Sequence, residues 1–125
     1  MILKRLPDTE LTVMKALWDS GAHTSRAQLE QALAPFGWAS NTVNTYLARL
    51  TDKGFVAAER QGKSNLYSPL VSREDYLAYD SRRVVEGLYG SPRNFVAALA
   101  QDGLEQGELE ELQALLRQLE RGKKP

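Results

Sequence analysis

The chain has 125 residues, 42% of them apolar and 26% charged, with 16 basic side chains balancing 16 acidic ones. That length holds one ordinary domain, or a small one with an appendage, and the mixture is that of a globular chain rather than a disordered or fibrous one. There is no cysteine, which excludes disulfides, thiolate metal sites and a cysteine nucleophile. No run approaches the ~18 apolar residues of a membrane helix, and residues 1–7 lack the apolar centre of a signal peptide, so the expected location is cytoplasmic.

The neutral balance hides a division. Residues 1–73 carry nine Lys/Arg against six Asp/Glu, and residues 74–125 carry seven against ten, giving +3 and −3. The sign difference points to a first half that faces nucleic acid and a second half with another task.

In chain order, a first helix is expected from Asp8, as its cap, to Gly21, with Leu11, Met14, Leu17 and Trp18 on one face. A second opens at Ser25, where Ser25-x-x-Gln28 has capping-box spacing. It buries Leu29, Ala32 and Leu33 and stops at Pro35 and Gly37. A third spans 40–53, with Ser40 as cap, Val43, Leu47 and Leu50 as its packing stripe, and Gly54 at the left-handed C-terminal position. The period then changes. "FVAAER" and "NLYSPL" read as short strands around "QGKS", whose Gly62 permits a tight turn. Helix, helix, helix, hairpin is the order of a winged helix-turn-helix.

From Ser72, a cap, a long helix runs to about Gly90 with Tyr76, Leu77, Val84, Val85 and Leu88 along it. Ser91-Pro92 starts a short helix carrying Phe95, Val96 and Leu99, and Asp102-Gly103 ends it. The last helix repeats Leu109, Leu112, Leu115, Leu116 and Leu119 at intervals of three and four, before Gly122 and a basic tail of Lys123 and Lys124. Fifty-odd residues with stripes this apolar bury them poorly alone, and a second copy is the natural cover. The expected fold is therefore mainly α: a winged helix-turn-helix of three helices and a β-hairpin wing (1–71), then a three-helix dimerisation domain (72–125). The dimer core is expected from Leu77, Val84, Leu88, Phe95, Leu99, Leu109, Leu112, Leu116 and Leu119.

Catalytic chemistry finds little support. His23 is the single histidine and has no carboxylate motif around it, the acidic run 104–113 lies on the polar face of a leucine-striped helix, and no phosphate-cradling glycine loop occurs. Neither enzyme activity, metal nor cofactor is expected. The third helix is more informative. Its outward positions offer Ser40, Asn41, Thr42, Asn44, Thr45 and Arg49, where helix surfaces more often carry Glu, Lys and Gln. Amides pair with adenine edges, threonine with a hydroxyl acceptor or the thymine methyl, and arginine with guanine or phosphate. Lys53, Arg60 and Lys63 stand nearby as phosphate ligands, the last two on the wing. The alternatives are a winged-helix protein-interaction module and, less well supported by the residues, a hydrolase or nuclease.

The chain resembles the penicillinase repressors, the BlaI/MecI type of bacterial winged-helix regulators. The resemblance lies in "LPDTELTVMKALWDSG" (6–21), "TVNTYLARLTDKGFV" (42–56), "GKSNLYSPLVSREDY" (62–76), "LYGS" (88–91) and the terminal "GELEELQALL". It implies a homodimeric repressor of a palindromic operator with TACA/TGTA-like half-sites, possessing no cofactor. It also implies a membrane-bound metallopeptidase sensor that detects a β-lactam and triggers cleavage in the C-terminal domain, a circuit of antibiotic resistance. The family's scissile Asn-Phe pair aligns with Ala98-Leu99, while an Asn94-Phe95 pair occurs four residues earlier. The copper-responsive branch carries a C-terminal cysteine cluster that is absent from this sequence.

Overall fold

The computed structural model describes residues 3–122; the Lys123–Lys124 tail lies outside them. Helix α1 spans Asp8–Ser20, strand β1 Thr24–Ser25, helix α2 Arg26–Ala32 and helix α3 Ser40–Asp52. The hairpin follows as β2, Val56–Gln61, and β3, Ser64–Pro69. Helix α4, Arg73–Val84, runs into a single π-helical turn, Val85–Tyr89, and is succeeded by α5, Pro92–Gln101, and α6, Gln106–Gly122.

The winged-helix half is built around the residues that the apolar spacing marks. Leu17 of α1, Leu29 of α2, Leu33 just beyond it, and Val43, Leu47 and Leu50 of α3 are all buried in one cluster with Val13, Met14 and Phe55. Ser25 caps α2 reciprocally with Gln28, each side chain bonding the other's backbone N–H, as the spacing predicts. Gly54, at φ 81°, ends α3: its N–H reaches Thr51 O at 3.1 Å and the Phe55 N–H reaches Leu50 O at 2.9 Å. That is the Schellman pattern, completed by burial of Phe55 against Leu50.

The wing is an antiparallel ladder from Val56↔Pro69 to Gln61↔Ser64, closed by Gly62 and Lys63. Gly62 takes φ 62° at the first turn position, a conformation that glycine adopts without a Cβ penalty. Strand β1 adds itself to β3 through Thr24↔Tyr67 and Ser25↔Leu66, giving the order β1-β3-β2. Two residues carry no alternating pattern, so the sequence reading contains no such strand. His23, which leads into it, has φ 55° and donates its N–H to Ser68 Oγ at 2.9 Å.

Two expectations are corrected. Asp8 and Ser40 are not caps: Pro7 and Ala39 hold the extended N-cap backbone, so each helix starts one residue earlier in register than a capping side chain would set it. The 72–90 helix is α4 plus a π turn, although Ser72 does accept the Asp75 N–H at 3.0 Å. The chain divides into two compact units, one ending at Ser81 and the other beginning at Arg82. Tyr76 ties the start of α4 to the first of them. Its ring is buried in the winged-helix core beside Phe55 and Trp18, and its hydroxyl accepts the buried Leu6 N–H at 2.8 Å. The first turns of α4 thus belong to the first unit, where Arg5 also meets Asp80 and Arg73 meets Asp19.

The second unit has caps but no core. Ser91 accepts the Asn94 N–H at 3.1 Å with Pro92 in the first turn, and Tyr89 packs edge-on to Phe95. No residue of the π turn, α5 or α6 is buried. Leu88 is 74% exposed, Leu116 59% and Leu119 51%. Among the described residues, no helix is long and apolar enough to cross a membrane.

Candidate nucleic-acid interface

Helix α3 separates its two faces cleanly. Val43, Leu47 and Leu50 point into the core, with Tyr46 half-buried beside them, whereas Asn41, Asn44, Thr45, Ala48 and Arg49 form an exposed stripe at intervals of three and four. Every side chain at the start of that stripe is short, which lets a helix descend into a groove about one helix wide. Arg49 lies at the far end, with its guanidinium 6.0 Å from the centre of the Tyr46 ring. Thr42 is half-buried on the flank of the stripe. The exposed Thr45 turns its hydroxyl back to Asn41 O at 2.9 Å.

The wing carries its cations as the sequence suggests. Lys63 is exposed at the turn, and the exposed Arg60 folds its Nε to Gly62 O at 3.2 Å. Glu59, the acid between them and the core, has His23 Nδ1 within 3.6 Å. Lys53 stands apart from the expected set of phosphate ligands: its ammonium is 2.5 Å from Glu10, an acid buried within α1. Desolvated carboxylates need a partner, and this one takes Lys53.

Arg26 is a residue that the spacing arguments overlook. It occupies the first position of α2, directly after the Ser25 cap, and reaches across to α3. Its Nη1 donates to the Asn44 side-chain oxygen, its Nη2 to Ser40 O at 2.7 Å, and Glu30 lies 3.1 Å from the same group. Ser40 completes the network by donating its hydroxyl to Glu30 at 2.7 Å instead of capping α3. The available signal was positional: in a helix-turn-helix, the start of the second helix lies beside the start of the third.

Beside this face Phe36 stacks on Trp38 at 5.3 Å between ring centres, and Trp38 meets Tyr46 of α3 edge-on at 5.1 Å.

Fold and site together define a winged-helix protein with a polar, partly basic helix face. Residues 6–118 match the family model of the penicillinase repressor. The chain belongs to that family, whose members are transcriptional repressors and not enzymes. It is 27% identical over 127 residues to the penicillinase repressor of Bacillus licheniformis, spanning 98% of this chain and 99% of that one. It is 25% identical over 113 residues to the methicillin resistance regulatory protein MecI of Staphylococcus aureus strain N315, spanning 89% and 92%. Among solved structures, the DNA-binding domain of the repressor BlaI superposes with a TM-score of 0.52 at 29% identity, over 58% of this chain and 88% of that domain. Monomeric Bacillus licheniformis BlaI in complex with the blaP half-operator superposes at 0.50 and 28% identity, over 60% and 92%. The protein is thus a DNA-binding repressor of this family.

Proposed function

We propose that the protein is a homodimeric transcriptional repressor, acting in the cytoplasm, that grips a palindromic operator with α3 and the wing near residues 60–64. One observation carries this reading: the exposed stripe of α3 opens with the short hydrogen-bonding side chains Asn41, Asn44 and Thr45, braced from behind by Val43, Leu47 and Leu50, with Lys63 exposed on the adjoining hairpin. Asn41, Asn44 and Thr45 meet base edges in this reading, while Thr42, Arg49, Arg60 and Lys63 fix the helix on the backbone. Ser40 and Lys53 act from behind, through Glu30 and Glu10. Similarity to BlaI, which has been solved in complex with a half-operator, supports DNA as the partner.

The dimer rests on the apolar side chains Leu77, Val84, Leu88, Phe95, Leu99, Leu109, Leu112, Leu116 and Leu119. None of these is buried, and a monomeric domain rarely leaves so many large apolar side chains in water. A second copy of the same helices covers them by symmetry. Relief of repression by a membrane-bound metallopeptidase belongs to the same reading. Ala98 and Leu99, the positions aligned with the family cleavage site, are exposed within α5. Cutting there severs α6 from the rest, after the helix opens locally.

Titration of the protein onto operator duplex at increasing salt tests the DNA-binding role. A repressor that neutralises several phosphates loses affinity with a log-log slope of about −0.9 per phosphate. A winged helix that contacts a protein instead has little affinity to lose, and a flat, weak response contradicts the proposal.

A further inference from the structure

We propose that Arg26 sets which base edges Asn44 reads, by engaging the carboxamide oxygen and leaving the amide hydrogens to DNA; the inference rests on α3 being the recognition helix. An asparagine carries an acceptor oxygen and two N–H donors, and both are needed for its bidentate pairing with adenine N6 and N7. In this chain the oxygen is already bound. Arg26 Nη1 donates to Asn44 Oδ1. A guanidinium has donors and no acceptor, so the atom that faces it is the oxygen and the amide orientation follows from chemistry.

Arg26 is not free to leave. Its Nη2 donates to Ser40 O at 2.7 Å and lies 3.1 Å from Glu30. The reciprocal Ser25–Gln28 cap fixes the turn from which it projects. Two consequences follow for Asn44. Its oxygen is a poorer acceptor for a second donor, because the first bond is charge-assisted. The positive guanidinium also disfavours a base edge that presents amino hydrogens and favours one that presents only acceptors. Asn44 Nδ2 therefore suits guanine O6 and N7 or thymine O4, and not adenine or cytosine. Arg26, a residue outside the α3 stripe, is in this way a specificity determinant.

The test varies each base pair of one selected half-operator in turn. It measures relative affinity for the wild type, Asn44→Ala, Arg26→Ala and Asn44→Asp, with thermal melting as the check on folding. At the one position whose preference disappears in Asn44→Ala, the wild type should favour guanine or thymine over adenine by about fivefold or more. Arg26→Ala releases the oxygen and should raise adenine at that position by a similar factor. Asn44→Asp keeps a partner for Arg26 but has no hydrogen to donate, and should turn the preference towards cytosine. Adenine as the wild-type choice at that position, or an unchanged preference in Arg26→Ala, overturns the assignment. Should Arg26→Ala fail to fold, retention of the wild-type preference by Asn44→Asp overturns it equally. A wild-type protein that selects no sequence removes the DNA-reading helix and this inference together. A change confined to one base position leaves the helix in place and judges Arg26 alone.

Discussion

Lys53, at the C-terminal end of α3, donates to Glu10 of α1 across 2.5 Å and 43 positions of sequence. The Glu10 side chain is 3% exposed and that of Lys53 27%. Burying a carboxylate without a partner is costly, so the pair fixes where the end of α3 rests on α1. Lys53→Met should therefore destabilise the fold by about 2–4 kcal/mol, because it leaves the buried carboxylate alone. Glu10→Gln should cost less, about 1–2 kcal/mol, since the released ammonium can reach water. Urea denaturation of both variants measures this. An unchanged midpoint for Lys53→Met, together with a shallower salt dependence of operator binding, would return Lys53 to the phosphate ligands.

Tyr76 ties α4 to the N-terminal segment and gives the fold a dependence on alkaline pH. Burial is the main cause that raises its pKa above 10.0, assisted by Asp80 and opposed by the Leu6 hydrogen bond and Arg5. A folded-state pKa above the unfolded one means that the contribution is complete below about pH 10 and is lost as pH climbs through the folded value. Tyr76→Phe strips the buried Leu6 N–H of its acceptor and should cost about 1–3 kcal/mol at neutral pH. The difference between wild type and variant should shrink above pH 10. Thermal melting at several pH values checks both, and a gap that widens with alkali is incompatible with this account.

Base reading and backbone gripping separate in mutants. Asn44→Ala should reduce the preference for operator over random duplex by about 1–3 kcal/mol. Lys63→Ala, at the wing turn, should weaken binding to both duplexes alike and reduce the salt slope by about one phosphate equivalent. Equal losses on both duplexes for Asn44→Ala would argue that α3 positions the protein without reading bases.

A symmetric dimer also constrains its DNA. Two recognition helices related by a two-fold axis need half-site centres about 10 base pairs apart, or a multiple of that. Inserting five base pairs at the operator centre turns one half-site to the opposite face of the duplex and should reduce affinity towards that of one half-site. Undiminished binding would mean that the two reading units are joined flexibly.

Local chemistry in this sequence was legible and long-range pairing was not. The Ser25–Gln28 box, Ser72, Ser91-Pro92, the Gly54 terminus and the Gly62 turn are each written within four residues, and each forms as its spacing dictates. Asp8 and Ser40 misled because both are good capping types standing one place after the residue that takes the extended backbone. The site divides in the same manner. Helical periodicity locates the outward stripe of α3, but Arg26 and Glu10 reach α3 from other helices, and no period encodes a contact between helices. Tyr76 carries the same lesson: its spacing fits an outer helix, and its hydroxyl finds Leu6 70 positions away.

The most direct test of the account is the affinity of Leu112→Ala/Leu116→Ala for the full operator, read by gel shift alongside sedimentation of the free protein. Each buried leucine truncated at a dimer interface costs about 2–5 kcal/mol and occurs twice by symmetry, so the variant should sediment as a monomer. The winged-helix unit, with its own caps and core, should remain folded. Without a tethered second copy, affinity should fall to that of a single half-site, with one-to-one complexes preceding two-to-one on the gel. A variant that stays dimeric, or a monomer that holds the full operator as tightly as the wild type, would contradict the account.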